Sequence, residues 1–302
     1  MAATKVEVEV EGRQLRLSNL DKVLYPEAGF TKGQVIDYYT RVAPVLLPHL
    51  KGRPLTLKRY PNGVNDKFFY EKNCPSHRPD WVKTAEIELE RKTVNFCLCE
   101  DLPTLVWMAN LADLELHPSL ALARNVNRPT TIAFDLDPGE PAAILECCEV
   151  ALAIRDTLAE LDLECFPKTS GSKGMQVYVP VNQPRVTYER TKPLAHALAQ
   201  HFERELPELV VSSMKKSLRR GKVFIDWSQN HPTKTTVSVY SLRAKDHPTV
   251  STPLRWEEVE DALEKRDADT LVFESDEVLE RMEEHGDLFE PVLTLRQRLP
   301  KL

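Results

Sequence analysis

The chain has 302 residues and a mass of 34.5 kDa, enough for one large domain or two small ones around a substantial core. At 42% hydrophobic and 28% charged residues it excludes a disordered chain, and the lack of any run of about 18 apolar residues excludes a helical membrane span. A net charge of −6 argues against nucleic acid only until its distribution is read: residues 256–290 carry 15 acidic and 3 basic residues, which leaves a net +6 on the rest.

The opening MAATKVEVEVEGR holds no secretory apolar stretch, so a cytoplasmic location is expected. Residues 5–17 alternate apolar and polar around Glu11-Gly12 and predict a hairpin. Thr31 predicts an N-cap for a helix running to about Leu47, with Val35, Ile36, Tyr39, Val42, Ala43 and Leu46 at helical spacing. Residues 54–60 read as a strand, 83–99 as two strands turning near Arg91-Lys92, and 102–112 as a helix with Pro103 at its first position. A β-branched strand at 130–138 ends on Pro138, and a helix at 141–161 has Pro141 in its first turn. Strands follow at 163–168 and 175–181 around a turn at 170–174, then an amphipathic helix at 188–206 and strands at 222–227 and 235–243. Strands alternate with helices, yet adjacent hairpins recur, so the fold class is α/β with a mixed sheet rather than a purely parallel one. The acidic helices after Trp256 are expected on the outside, away from phosphate.

Six cysteines in a chain of cytoplasmic type read as free buried thiols, with Cys147 and Cys148 in the core of a helix. The alternative is a zinc site from Cys74-x2-His77 and Cys97-x-Cys99. Cys-x-Cys is a poor tetrahedral pair, so no zinc is expected.

Asp135 and Asp137 share one face of a strand because side chains alternate with period two. Two such carboxylates repel unless a cation or proton sits between them. Asp226 interrupts the apolar strand VFIDW, where a carboxylate needs a metal or a donor. Three carboxylates from two strands can hold two divalent ions about 4 Å apart, but an Asp accepting from neighbouring amides accounts for Asp226 equally well. In Thr169–Gly174 (TSGSKG), small residues let backbone amides approach phosphate oxygens while Ser170, Ser172 and Lys173 supply hydroxyls and charge. Arg243 is a candidate second phosphate clamp, and His117 is either a core histidine or an active-site one. The densest basic run, Lys215, Lys216, Arg219, Arg220 and Lys222, is either a solvated loop or a phosphate-binding one. An acidic triad, a Ser/Lys loop and an Arg clamp together fit transfer of a nucleotidyl group from a triphosphate.

These stretches, with Asn19–Pro26 (NLDKVLYP), Arg53–Gly63 (RPLTLKRYPNG), Leu116-His117, Phe134–Glu140 (FDLDPGE), Lys216–Asn230 and Tyr240–Arg243, resemble the polymerase domain of bacterial ligase D. That family belongs to the archaeo-eukaryotic primase superfamily and serves non-homologous end joining. The resemblance runs from about residue 13 to 290 and implies a single primase-polymerase domain over 1–302. Within it, residues 1–60 would contribute a 5′-phosphate-binding part, 100–250 a mixed-sheet catalytic core flanked by helices, and 251–302 an acidic helical part.

The resemblance implies that Asp135, Asp137 and Asp226 hold two ions, Mn²⁺ in preference to Mg²⁺, with His117 beside the incoming NTP or dNTP. Lys58, Ser170, Ser172, Lys173, Gln176 and Arg243 are implied for the sugar and triphosphate, and Asn19, Lys22 and Lys32 for a downstream 5′-phosphate. A helix N-terminus carrying Lys32 suits such an anion. Phe69 and Tyr70 with Lys72 are implied to stack on template, and Arg53, Arg219, Arg220 and Gln229 to hold template or primer, Arg219 from a mobile loop. Such enzymes generally favour ribonucleotides in short gap-filling additions. The implied partners are DNA with gaps or 3′ overhangs and a 5′-phosphate, nucleoside triphosphates, Ku and an ATP-dependent DNA ligase, at a nucleoid-associated location and with no membrane. Two positions depart from the family pattern. Gln176 stands where it usually has His, and Tyr70 replaces one Phe of the stacking pair. A primase starting chains de novo, or an idle end-bridging module, are the competing readings; the intact acids argue against the idle one.

Overall fold

The structure, a computed structural model, describes residues 5–89 and 92–300. The chain divides into two compact units, each built from separated stretches. The first comprises Met1–Ser119, Val237–Val250 and Glu274–Asp287, and the second Leu120–Thr236, Ser251–Phe273 and Leu288–Leu302.

The first unit opens with the expected hairpin, β1 (Lys5–Val10) and β2 (Arg13–Ser18), paired in register from Lys5↔Ser18 to Val10↔Arg13. Its two turn residues, Glu11 and Gly12, both take positive φ, as the tightest hairpin turn requires. A short pair, β3 (Val23–Tyr25) and β4 (Phe30–Thr31), leads into α1 (Lys32–Leu50). Thr31 caps α1 as expected: its hydroxyl accepts from Gln34 N, and the Gln34 side chain accepts in return from Thr31 N. Then come β5 (Leu55–Arg59), β6 (Phe69–Glu71), the hairpin β7 (Thr84–Leu89) and β8 (Lys92–Cys97), α2 (Leu102–Asn110) and β9 (Asp113–Pro118). Arg91 of the expected β7–β8 turn lies outside the described residues. Strand β5 is the centre of an antiparallel three-stranded sheet, flanked by β6 and β9.

Two expectations fail here. Cys74 and Cys97 form a disulfide, so they are neither free thiols nor a pair of zinc thiolates. Backbone pairing brings them together: Cys74 N donates to Asn95 O (2.7 Å), which lays the segment before β7 along β8. Cys99, Cys147, Cys148 and Cys165 are free and buried, as expected. Residues 235–243 form no strand. Val237, Val239 and Leu242 are buried, but Tyr240 turns to a φ of 63°, and isolated bridges at residues 235 and 242, the latter Leu242↔Val250, stand in place of a strand. Side-chain hydroxyls anchor this stretch instead, with Tyr38 Oη donating to Tyr240 O (2.8 Å) and Tyr240 Oη to Asp287 Oδ1 (2.8 Å).

The second unit is built on β10 (Thr131–Pro138), α3 (Ile144–Glu160), β11 (Phe166–Thr169), β12 (Met175–Pro180), α4 (Tyr188–Glu205), β13 (Val210–Val211), β14 (Val223–Asp226) and α5 (Trp256–Lys265). The chain then adds α6 (Ser275–His285) to the first unit and α7 (Pro291–Thr294) to the second. The five-stranded sheet runs β11-β12-β10-β14-β13, antiparallel except for the parallel β13–β14 edge, which bears out the mixed α/β class. Ile132, Phe134 and Leu136 of β10 enter a core shared with Cys147, Cys148, Ala151 and Ile154 of α3 and with Leu194 and Ala195 of α4. The period-two alternation that buries those three side chains turns Asp135 and Asp137 to the other face.

Helix α3 starts later than its proline suggests. Pro141 follows a cis peptide, and the helix opens only after Ala143, whose N–H donates to Glu146 Oε2 (2.7 Å). Strand β11 likewise starts late, because Glu164 N donates to Gln297 Oε1 (2.7 Å) rather than to β12. No helix among the described residues is long and apolar enough to cross a membrane.

Candidate active site

Asp135 lies directly opposite Asp226 in the β10–β14 register, and Asp137 follows two residues along β10. One oxygen from each of the three carboxylates falls within 4.8 Å of the others. All three residues keep some exposure and Asp137 is exposed, so the cluster is open on one side. Carboxylates this close repel one another unless a cation joins them, and an all-oxygen donor set suits a hard divalent ion. The triad can therefore hold a divalent metal.

Amides already satisfy some of these carboxylate oxygens without cancelling their charge. Gln176 Nε2 donates to Asp135 Oδ1 at 2.8 Å, while Gln229 Nε2 donates to Asp226 Oδ2 at 2.9 Å and reaches Asp135 Oδ2 at 3.5 Å. Asp226 Oδ1 accepts from Ser228 N and Oγ as the chain leaves β14. Gln176 and Gln229 were expected at the nucleotide and the DNA; the structure places both amides on the carboxylates.

The 170–174 turn is held by Ser170, whose Oγ accepts from Ser172 N and Gly174 N, both at 3.2 Å. Gly174 is required because a Cβ there would stand 2.1 Å from Leu136 O. Ser172 and Lys173 project to solvent, and Lys173 pairs with Glu140 at 2.6 Å, which holds that carboxyl below its usual range. A pair this exposed contributes little stability, so Lys173 can exchange Glu140 for another anion at small cost. The basic run packs against the end of β10. A Cβ on Gly139 would lie 1.9 Å from Arg219 O, and Gly221 N donates to Gly139 O (2.7 Å). The Arg219 guanidinium covers the Phe224 ring at 3.6 Å, while Lys215, Lys216 and Arg220 are exposed.

In the first unit, three residues expected at the nucleotide converge on one carboxylate that sequence reasoning missed. Glu115 on β9 pairs with His117 Nε2 (3.0 Å), Lys58 Nζ (3.3 Å) and Arg243 Nε (3.5 Å), and accepts from Ala244 N (3.1 Å). Burial alone would raise the Glu115 carboxyl, but the His117 bond and the Arg243 and Lys58 charges outweigh it and hold the group well below the usual range. Burial lowers the His117 pKa despite the Glu115 bond, so the imidazole is neutral at pH 7. Nε2–H then donates to Glu115 and Nδ1 is left an acceptor.

The missed signal was period two: Glu115 and His117 line one face of an otherwise apolar strand, while a register shift in the β5–β9 ladder sets Asp113 opposite Arg59 instead. Asp113 was missed with Glu115. Its pKa is pushed well above the usual carboxylate range by burial, against the pull of Arg59 Nε at 3.3 Å.

Beside this cluster, Phe68, Phe69 and Tyr70 are exposed at 47%, 44% and 60%. Lys58 Nζ lies 4.3 Å from the Phe68 ring centre. Arg59 secures the platform by bonding Glu71 (3.0 Å) and covering Phe69 (5.2 Å). Lys72 follows the end of β6, partly exposed. Arg53, expected at DNA, is only 8% exposed and donates to Ser119 O (3.2 Å).

Lys22 Nζ donates to Pro61 O (2.7 Å) and Asn62 Oδ1 (3.0 Å), and Lys32 Nζ to Ser18 O (2.6 Å). Neither ammonium has a carboxylate partner among the described residues. Burial, then the charges of Lys22 and Arg59, lower the Lys32 pKa to about 8. Asn19 turns the chain with a φ of 54°, and Lys22 N donates to its carbonyl (3.0 Å). The N-terminus of α1 offers no anion site through its own amides: Lys32, Gly33 and Gln34 N donate to Lys22 O, Leu20 O and Thr31 Oγ1. What remains for an anion is the lysine pair.

A mixed sheet with three carboxylates gathered on adjacent strands, in a chain with an exposed aromatic platform and clustered basic side chains, is the equipment of a primase-polymerase domain. The family model described as "LigD, primase-polymerase domain" matches residues 31–289, and the chain belongs to that family. It is 44% identical over 281 residues to the multifunctional non-homologous end joining protein LigD of Mycolicibacterium smegmatis, covering 92% of this chain and 36% of that protein. It is 32% identical over 273 residues to the bifunctional LigD of Bacillus subtilis, covering 90% of this chain and 43% of that protein. The chain thus spans less than half the length of these relatives. Among solved structures, the polymerase domain of Mycobacterium tuberculosis ligase D in complex with DNA matches with a TM-score of 0.86 and 41% identity, covering 94% of this chain and 99% of that one.

Proposed function

We propose that the chain is a template-dependent nucleotidyltransferase, acting as one domain, that adds nucleotides to a DNA primer at gaps or double-strand breaks, with ribonucleotides preferred. The observation that carries this reading is the open Asp135–Asp137–Asp226 triad, within a chain that belongs to a polymerase-domain family. In the reaction the primer 3′-oxygen attacks the α-phosphorus of the triphosphate, the bond to the β-phosphate bridging oxygen breaks, and pyrophosphate leaves. Two divalent ions, Mn²⁺ in preference to Mg²⁺, would acidify the 3′-hydroxyl and neutralise the triphosphate and leaving group.

The residues supply the rest. Ser170, Ser172 and Lys173 offer donors and charge to phosphate oxygens. In the first unit, Lys58 and Arg243 offer cations and His117 a neutral ring, with Glu115 fixing all three. Phe69 and Tyr70, with Lys72 alongside, stack on unpaired template bases, and Arg219 and Arg220 follow the backbone. Lys22 and Lys32, in the turn set by Asn19, take a 5′-phosphate. Ku and an ATP-dependent DNA ligase are the protein partners this role implies.

The test is primer extension on a gapped duplex in Mn²⁺, with ribo- or deoxynucleotides and with or without the 5′-phosphate. Extension is expected, faster with ribonucleotides and with the phosphate. Asp135→Ala or Asp226→Ala should abolish it while fluorescence anisotropy shows DNA affinity kept within about threefold. Addition at the unsubstituted rate by either folded variant refutes the assignment, and synthesis without a primer would make the chain a primase instead.

A further inference from the structure

The β-ladders align Lys168, Gln176, Asp135 and Asp226 in one row across β11, β12, β10 and β14. Gln176 sits between a buried lysine and the metal carboxylates. It is itself only 3% exposed. Its Nε2 donates to Asp135 Oδ1, and this orientation is forced, since the opposite one would set two acceptors against each other. The forced orientation leaves Gln176 Oε1 buried with no hydrogen-bond partner. The side chain is therefore oriented by the carboxylate, with one of its two amide N–H groups committed to Asp135. The other Asp135 oxygen, Oδ2, shares the Gln229 amide with Asp226 Oδ2. With Oδ1 pinned by Gln176, Oδ2 is held toward Asp226, so the two oxygens converge on one point.

We propose that Gln176 is a positioning residue for metal binding: it fixes the rotamer of Asp135 and so sets the affinity of the triad for its divalent ion rather than that of the protein for the nucleotide. This rests on the nucleotidyltransferase reading of the triad. A neutral donor orients the carboxylate and leaves its full negative charge to the cation. Donors behind metal ligands commonly change metal affinity by about ten- to a hundredfold when removed.

The experiment titrates Mn²⁺ without nucleotide and follows the loss of the free-ion electron paramagnetic resonance signal. Gln176→Leu keeps the volume without a donor, and Gln176→Asn keeps an amide one methylene too short to reach Asp135. Both should weaken Mn²⁺ binding by about tenfold, and Gln176→His, which restores a donor, should return it to within about threefold. In primer extension the Mn²⁺ concentration giving half the maximal rate should shift by the same factor, with the nucleotide KM at saturating Mn²⁺ unchanged within twofold. Unaltered Mn²⁺ affinity in the folded Leu and Asn variants overturns the proposal, as does a shift in nucleotide KM alone. Unfolding of both variants also overturns it, since the residue would then be structural only. Asp135→Asn separates the two levels: if that variant binds Mn²⁺ as the unsubstituted protein does, the triad reading itself fails.

Discussion

Lys32 shows how much one side chain's environment decides. Its ammonium is buried, faces only neutral acceptors and lies near the like charges of Lys22 and Arg59, so its pKa falls to about 8. A bound phosphate dianion would reverse that shift. The preference for a 5′-phosphorylated gap over a 5′-hydroxyl one should therefore be greatest between about pH 7 and 8. Below that range the phosphate itself gains a proton, its second pKa being about 6; above it Lys32 loses one. Anisotropy titrations of matched duplexes should show the affinity ratio falling by up to about tenfold per pH unit above 8, and a ratio flat to pH 9.5 would remove Lys32 from the pocket. The linked stability has a definite sign. Between about 8 and the ordinary 10.5 the unfolded chain holds a proton that the folded one lacks, so this lysine makes the fold more stable as pH rises through that window. At this scale the sequence was legible where chemistry is rare, as with Asp135, Asp137 and Asp226. It was opaque where a common residue acquires a role from neighbours distant in the chain. Glu115 is ordinary until Lys58 and Arg243 arrive from 57 and 128 positions away.

Elements were legible wherever periodicity reports burial on one face. The β1–β2 hairpin, α1 with its Thr31 cap, and β10 follow from alternation, capping chemistry and β-branching. The stretch 235–243 has the same alternation, yet backbone conformation at Tyr240 overrides it, and Pro141 marks a bend before α3 rather than its first turn. The disulfide was invisible for a similar reason: Cys74 meets Cys97 through a strand pairing that spacing does not reveal. The turn between β11 and β12 offers a test at this scale. Gly174 packs its α-carbon against Leu136 O on β10, between Asp135 and Asp137 of the triad. Gly174→Ala forces a 2.1 Å clash with backbone, which cannot rotate away, and overpacking of this kind typically costs about 1–3 kcal/mol. Urea denaturation should show that loss together with a higher nucleotide KM. Stability and KM both unchanged would mean that β12 shifts freely and that the turn's geometry is irrelevant.

At the scale of the molecule, charge is segregated along the chain. Net negative charge concentrates in residues 256–290, and the basic loop at 215–222 stands on the end of β10, the strand that carries Asp135 and Asp137. Duplex binding that releases counterions falls with salt at about 0.9 logarithmic units per phosphate contact. Replacing Lys215 and Lys216 together by Ala should lower the log–log salt slope by about two without altering sequence preference. An unchanged slope would make the run a solvated surface, the bland reading its composition also allowed. The overall class was legible because its motifs fall in order across nearly the whole chain. The partition into two units was not, since each draws on stretches far apart in sequence.

That partition bears on birth as well as function. The first unit has its amino-terminal stretch by Ser119 but lacks α6, which packs on α1, until Ser275–His285 has been made. At typical synthesis rates that interval is roughly 10–30 s. Meanwhile the nascent polypeptide leaves the ribosome with Tyr38 still without its Tyr240 acceptor and His49 without Asp287. The second unit waits longer still, because Gln297 closes onto Glu164 and Pro180 near the end of the chain. Each half is thus completed only once its distant, later-made stretches have emerged, and the apolar surface they cover stays open until then.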